Sequence, residues 1–249
     1  MCYPVVLDRV LRVDCGVLGE EARGMIGYQE NERLMRPLYG FAEADRLAGV
    51  TRGTSRRWLK GYRYWYADES RMALPITPER DQPEGVSFVD LVEVIAIGKL
   101  RQRGFSLRRI RQVNEYCQLA LNRDRPLFTE TFKTDGREVF VKAQGGFLLD
   151  VLHGRGTQAW DEVLDPFLET LDYEDELARR WWPRGKEEPV VVDPDYGFGL
   201  PVVSGSGVRT EIVAERFRAG DDKEEIAYDF GLSPAGVEAA LRYEMPDAA

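Results

Sequence analysis

The stretch YGFAEADRLAGVTRGTSRRWLKGY, residues 39–62, decides how the rest of the chain is read. In its first third Phe41, Ala44, Leu47 and Ala48 recur at helical spacing, with Glu43, Asp45 and Arg46 outward. Gly49 stops that helix. Thr51 stands where an N-cap belongs, its hydroxyl able to meet the free amides of the next turn. A second helix follows over about residues 52–60, with Gly53 inside it at a cost of about 1 kcal/mol against Ala. Two short helices joined by a tight Gly turn make a helix-turn-helix, whose second helix enters the major groove of DNA. Thr51, Arg52, Ser55, Arg56, Arg57 and Lys60 then line its nucleic-acid side, while Val50 and Trp58 pack inward. Arginine suits this role because its planar fork donates two hydrogen bonds to a guanine edge or a phosphate. The competing reading is a surface helix with a solvated basic face.

The distribution of charge favours the first reading. The chain has 249 residues and a formal net charge of −9. Yet residues 37–114 hold 14 Lys and Arg against 9 Asp and Glu, a net of +5, and the rest of the chain carries the excess of acid. No apolar run approaches the roughly 18 residues of a membrane span; FVDLVEVIAIGKL is interrupted by Asp90 and Glu93. Asp8 and Arg9 break the apolar N-terminus too early for a signal peptide. The three cysteines, Cys2, Cys15 and Cys117, have no paired spacing, which points to a reducing cytoplasm and away from a disulfide framework or a cysteine metal site. A single histidine, His153, leaves little room for histidine chemistry.

Next, YRYWYADESRMAL alternates like a strand, turns at residues 68–70 and returns through Arg71 to Leu74. Such a hairpin is a wing, from which Arg63 and Arg71 reach flanking phosphates. Tyr62, Tyr64 and Trp65 are read either as part of that surface or as the wing's own core. Residues 75–85 are a Pro-rich loop. Ser87 and Asp90 form a capping box for a helix with Phe88, Leu91, Val92, Ile95 and Leu100 on one face. Gly104 ends it. Ser106 caps another helix, with Leu107, Ile110, Val113, Cys117 and Leu121 on one side, so Cys117 reads as a buried structural thiol.

The first pair of helices, followed by VDLVEVIAIGKLRQRGFSLRRIRQV, resembles the DNA-binding half of the MerR family of regulators over about 80 residues. The resemblance implies a winged helix-turn-helix and a dimer on a two-fold symmetric operator. The chain departs from that family in its long loop at 75–85, in Gly53, and in the absence of a long coiled coil after Leu121. The metal-sensing cysteines of some members are absent too.

In the middle region FKTDGREVFV carries a hairpin signal, with Asp135-Gly136 as its turn. GFLLDVL and AWDEVLDPFLETL are apolar pieces with acids outward, and the acids Asp172, Glu174, Asp175 and Glu176 read as a solvated face. ARRWWPRGK, residues 178–186, sets Arg179, Arg180, Arg184 and Lys186 round Trp181 and Trp182. Trp and Arg anchor protein interfaces, so Arg179, Arg180, Trp181, Trp182 and Arg184 are candidate partner-binding residues. Alternatively the tryptophans pin a linker to a core.

The C-terminal region begins with a strand, Pro201–Val203, and a turn over residues 204–207. Thr210 caps a helix that ends at Gly220. Asp222 and Glu225 form a second capping box, with Ile226, Ala227 and Phe230 inward. Ser233-Pro234 starts a last helix, with Val237, Ala240 and Leu241 inward and Ala235, Glu238, Ala239 and Arg242 outward. This second helix-turn-helix presents a surface that repels phosphates and suits protein contact. Gly197, Gly199, Gly205 and Gly207 do not complete a dinucleotide fingerprint, since Val202 stands where the third glycine belongs. No cofactor is expected. Gly199, Pro201, Gly205, Arg209, Ala219, Gly220, Glu225, Ile226, Ala227, Phe230, Leu232, Val237, Ala240 and Leu241 match the pattern of the family known as domain of unknown function 433. Members of that family resemble antitoxins of VapBC-type pairs, and a longer branch with a DNA-binding front half is similar in order to this chain. The implied partner is a PIN-domain ribonuclease toxin, whose acidic magnesium site an antitoxin arginine can enter.

The expected architecture is mainly α with small β elements. It divides into an N-terminal extension (1–36), a MerR-like winged helix-turn-helix (37–122), a connecting α+β region (123–192) and a second small helix-turn-helix-like domain (193–249). The expected function is an antitoxin that represses its own operon by binding operator DNA, silences a PIN-domain toxin, forms a homodimer in the cytoplasm and is not an enzyme. The alternative is a MerR-like regulator responding to a small ligand held in residues 123–192, with the tryptophans at the pocket. Residues 1–24 are expected to pack poorly.

Overall fold

The computed structural model describes residues 32–76, 85–136 and 160–245. The expectations for residues 1–24, for GFLLDVL and for His153 lie outside them. The architecture is mainly α with small antiparallel β elements. A short helix α1 (Glu32–Met35) precedes α2 (Phe41–Leu47) and α3 (Thr54–Lys60), and β1 (Tyr62–Tyr66) pairs with β2 (Glu69–Ala73) in a hairpin. Then come α4 (Phe88–Gln102), α5 (Leu107–Leu121), α6 (residues 130–136) and α7 (Asp165–Glu169), the last entered through a wide turn at Trp160–Leu164. Strands β3 (Leu171–Glu174), β4 (Leu177–Trp181), β5 (Val190–Val192) and β6 (Pro201–Val203) form one antiparallel sheet in chain order. Helices α8 (Thr210–Ala219), α9 (Lys223–Phe230) and α10 (Pro234–Glu244) complete the chain.

Helix α4 is the centre. Ser87 caps it as the sequence implies: its hydroxyl accepts from the Asp90 amide at 3.2 Å, and Asp90 Oδ2 accepts from the Ser87 amide at 2.9 Å. The expectation of a single apolar face is corrected, because twelve of its fifteen residues are buried, Asp90 and Glu93 among them. What compensates those two carboxylates is Arg125, itself 4% exposed. Its guanidinium donates to Asp90 Oδ1 at 2.9 Å and to Glu93 Oε2 at 2.8 Å. One continuous core, running from Leu34 to Val192, surrounds α4. Residues 123–136 and 160–192 therefore share their packing with the helix-turn-helix. A smaller core of Val203, Val213, Ala214, Ile226, Leu232, Val237, Ala240 and Leu241 lies in the back half. Tyr39 bridges toward that half, its buried hydroxyl donating to the Gly199 carbonyl at 2.8 Å. Burial, with Asp193 and Glu43 nearby, pushes that phenol well above its ordinary range, so it remains a donor.

Several local expectations are corrected and others hold. The turn signal at Asp135-Gly136 is overridden: residues 130–136 are helical. Thr129 Oγ1 accepts from the Phe132 amide at 3.2 Å and Phe132 is fully buried, so cap and core burial outweigh the two-residue signal. Residues 137–141 of that segment lie outside the described residues. Thr210 is the first residue of α8 rather than its cap, and its hydroxyl donates to Glu244 Oε1 at 2.6 Å. Ala239 is buried, not outward. Asp222 and Ser233 cap α9 and α10, and Gly220 and Gly231 end α8 and α9 in left-handed conformations. Cys117 is buried, and burial pushes its thiol up to about 12.

The turn between α2 and α3 is where sequence and structure differ most. Asp45 is 3% exposed, not outward. Its carboxylate accepts from the Gly53 amide at 2.5 Å and the Ser55 amide at 2.7 Å, capping α3 from the neighbouring helix. Helix α3 starts at Thr54, and Thr51 contributes only its carbonyl, which accepts from the Thr54 amide at 3.0 Å. Gly53 precedes the helix with φ +83°, so it occupies a conformation that L side chains rarely adopt rather than weakening a helix interior.

Two variants test this packing. Arg125→Met leaves two carboxylates in the core and lowers stability by about 3–5 kcal/mol in denaturant unfolding, with partial recovery when Glu93→Leu is added. Asp45→Ala removes the cap of α3, costs about 1–2 kcal/mol and speeds hydrogen exchange of the Gly53 and Ser55 amides.

Candidate nucleic-acid interface

Helix α3 has only seven residues, too few to persist alone. Its inward stripe is Ser55, Trp58 and Leu59, all buried. Ser55 is corrected by this: its hydroxyl donates to the Phe41 carbonyl at 3.1 Å, so it locks α3 to α2 and faces no ligand. Trp58 packs inward as expected, and Val50 is partly buried against the same core. The opposite surface keeps Thr51, Arg52, Arg56 and Arg57 exposed and Lys60 half-buried. Arg56 lies over the Phe41 ring at 5.3 Å and Arg57 over the Tyr62 ring at 5.8 Å. Such stacking holds a guanidinium in place over the ring face. Among the described residues no carboxylate pairs with Arg52, Lys60 or Arg63 in a salt bridge.

The hairpin follows α3 directly. Its register sets Tyr62 opposite Ala73, Tyr64 opposite Arg71 and Tyr66 opposite Glu69. The turn is Ala67-Asp68, both with positive φ, one residue earlier than the sequence suggests. Its base is fixed on both sides: the Ile76 amide donates to the Trp58 carbonyl at 2.8 Å, and Arg111 of α5 donates to the Leu74 and Pro75 carbonyls at 2.6 and 3.2 Å. Beyond that base nothing in the described residues covers it, and Tyr62, Tyr64 and Trp65 are exposed rather than forming a core. Arg63 is exposed. Arg71 lies over Tyr66 at 4.8 Å and pairs with Glu69 at 3.2 Å. Of the expected residues, Thr51 and Arg52 lie in the turn before α3, Arg56, Arg57 and Lys60 on α3, and Arg63 and Arg71 on the adjoining hairpin.

The second candidate cluster takes a different form. Trp181 is in the core at 6% exposure, and the indole of Trp182 donates to Asp172 Oδ2 at 2.7 Å. Arg180 pairs with Asp193 at 2.7 Å, and Arg184 donates to the Arg242 carbonyl at 2.8 Å. Lys186 pairs with Asp172 at 2.7 Å. Both tryptophans thus have contacts within the chain, one in the core and one to Asp172. Arg179 differs: its acid neighbours, Glu174 and Asp175, stand at 4.0 and 3.9 Å, and its Nε has no hydrogen-bond partner. Of the acidic run, Asp172 and Glu174 lie on β3 and Asp175-Glu176 form the tight turn to β4; Glu174, Asp175 and Glu176 are exposed, while Asp172 is half-buried and paired.

The residues that sequence reasoning missed are Asp45 and Arg125. A signal for Arg125 is present in the two acids, Asp90 and Glu93, one turn apart in an otherwise apolar helix; a buried cation is what such a pair requires. Among the described residues no group of histidines, cysteines and acids could hold a metal ion, and no helix is long and apolar enough to cross a membrane.

Comparison with known proteins places these parts. Residues 37–113 match the family model described as "Putative DNA-binding HTH domain", and residues 190–243 match the one described as "Protein of unknown function (DUF433)". The chain is 31% identical over 235 residues to the "Putative antitoxin VapB45" of Mycobacterium tuberculosis, covering 87% of this chain and 98% of that protein. It is 26% identical over 230 residues to the uncharacterized protein Rv2308 of the same organism, covering 84% and 91%. The crystal structure of Rv2018 from Mycobacterium tuberculosis superposes with a TM-score of 0.62 at 25% identity, covering 83% of this chain and 98% of that one. With nearly a third of residues shared over almost the whole of both proteins, the chain belongs to the VapB45 family of antitoxin-like proteins, with a helix-turn-helix front and a DUF433 back.

Proposed function

We propose that this protein is the antitoxin of a toxin–antitoxin pair and the repressor of its own operon. The observation that carries the DNA-binding half is the exposed cationic surface of α3 and the hairpin, in a chain whose net charge is −9. A polyanionic duplex is the ligand that compensates such a surface, and release of its counterions drives the association. Helix α3 enters the major groove, where Arg52 and Arg56 read base edges. Arg57, Lys60, Arg63 and Arg71 hold phosphates and set the register. Two copies on a symmetric operator place two such helices about 34–36 Å apart. The back half carries the acidic surface and takes the protein partner, a PIN-domain ribonuclease, in the cytoplasm. Arg179 is the side chain of the 178–186 segment assigned to the toxin's acidic site, since its ion pairs with Glu174 and Asp175 are long, at 4.0 and 3.9 Å.

The first test uses duplex DNA from the promoter directly upstream of the gene. Replacing Arg52, Arg56 and Lys60 with glutamine weakens binding, and the slope of log affinity against log salt falls by about 0.9 for each phosphate no longer neutralised. Unchanged affinity and slope would remove the DNA-binding reading. The second test coexpresses the chain with the product of the adjacent gene, expected on this reading to be a PIN-domain toxin. Growth arrest by the toxin is relieved by the intact chain and less well by Arg179→Gln at an unchanged melting temperature. Equal relief takes Arg179 out of the interface, and no relief by the intact chain removes the antitoxin reading.

A further inference from the structure

The two faces of the β1–β2 hairpin are chemically different. Alternation along the strands puts Tyr62, Tyr64 and Tyr66 on one face with Arg71 and Ala73. There the rings are already engaged: Tyr62 and Tyr64 lie 6.0 Å apart, with Arg57 over the first and Arg71 over Tyr66. The other face carries Arg63, Trp65, Ser70 and Met72. On it Trp65 is 76% exposed and Met72 56%, and Leu74 just beyond is 67% exposed. A two-stranded hairpin is marginal in water, and bare Trp and Met on it invite association. This one is anchored only at its base, so its tip projects with an apolar face uncovered in the described residues.

The surroundings say what covers that face. Arg63 lies on it, Arg71 and Arg57 lie behind it, Lys60 is the last residue of the helix before it, and Arg52 is in the turn that leads into that helix. The hairpin's acids are Asp68 and Glu69 at its turn, and Glu69 is paired with Arg71. An apolar patch framed by cations fits a ligand with an apolar interior and an anionic rim. A DNA groove has that composition, with stacked bases and sugars between two rows of phosphates. The hairpin leaves α3 after a single residue, Gly61, so when α3 lies in the major groove the hairpin falls on the adjoining minor groove.

We propose that Trp65 and Met72 form an apolar wedge that enters the minor groove of duplex DNA and partly unstacks one base step. Apolar side chains placed there kink the duplex and favour deformable pyrimidine–purine steps, so the hairpin contributes specificity at positions α3 does not touch. This deepens the DNA-binding reading above and rests on it. The wedge touches no phosphate, so its share of the affinity does not depend on salt. Arg63, on the same face, supplies the salt-dependent share.

The experiment uses the full-length protein and the same promoter duplex, carrying 2-aminopurine at successive flanking positions, with affinity measured across a range of salt. In the wild type, 2-aminopurine emission rises at one step as it unstacks. In Trp65→Ala combined with Met72→Ser, that rise disappears and affinity falls about tenfold or more, while the salt slope stays unchanged. Trp65→Phe keeps most of the signal. Arg63→Gln lowers the slope by about one and keeps the emission rise. Both apolar residues are exposed, so circular dichroism of the double variant matches the wild type. An unaltered affinity in the double variant overturns the wedge, as does a salt slope that falls with it. Tighter binding of a single-stranded oligonucleotide of the same sequence also overturns it, because the face is then a stacking platform. If the Arg52, Arg56 and Lys60 variants bind as the wild type does, the underlying DNA reading fails instead.

Discussion

A helix buried on nearly all sides cannot be covered by a single neighbour, and that constraint organises the front two-thirds of this molecule. Helix α4 presents apolar residues around most of its circumference, together with Asp90 and Glu93. Covering it takes the helix-turn-helix from one direction and the later segments from others, which is why one core runs from Leu34 to Val192. The two carboxylates add a condition to the apolar one. Each is costly to bury alone, and Arg125 has to reach both before the packing closes. The segment after α5 is thus tied to the first turns of α4 by a charge requirement as well as by shape.

The cationic surface is a consequence of that arrangement. Helix α3 is short and lacks a local side-chain cap, so its position comes from its neighbours. Asp45 holds its N-terminus, where a carboxylate also suits the helix dipole, and Ser55 and Trp58 fasten its inner face. With those inward contacts made, the arginines point outward. The hairpin is stiffened at its base by Trp58 and Arg111 and laced along one face by arginine–tyrosine stacking, which leaves the other face to Arg63, Trp65 and Met72. Rigid support of this kind lowers the entropy cost of ordering flexible cations on a ligand.

Front and back halves share the four-stranded sheet, in which β5 pairs with β6, and meet in specific side-chain contacts. Tyr39, at the entry to α2, bonds the Gly199 carbonyl, and Arg46 of α2 lies 3.6 Å from Glu244 at the end of α10. Glu244 also accepts from Thr210 at the start of α8. Arg184 reaches the Arg242 carbonyl from the loop after β4. Most side chains of the basic and aromatic 178–186 segment thus have partners within the same chain. Arg179 makes longer ion pairs, with Glu174 and Asp175 at 4.0 and 3.9 Å.

What the sequence by itself determined is everything carried by short-range chemistry. Caps at Ser87, Ser106, Asp222 and Ser233, left-handed glycines at helix ends, helical periodicity in α2, α5, α9 and α10, and the excess of cations in 37–114 all act within a few residues, so they are visible in one dimension. The family pattern in the back half is legible for the same reason. Only the tertiary structure decided the partners of polar side chains far apart in the chain. Asp45 reads as outward because it sits between Glu43 and Arg46 on a short amphipathic helix, and its true partners, the Gly53 and Ser55 amides, come within reach only once α3 has folded back. Asp90 and Glu93 read as interruptions because Arg125 lies more than thirty residues away. The in-chain partners of Arg180 and Trp182 are not visible in their own segment because Asp193 and Asp172 meet them only across the sheet. A charge declares its sign in the sequence, but whether it faces solvent, a ligand or a counter-charge depends on which distant segment the packing brings to within about 3 Å of it.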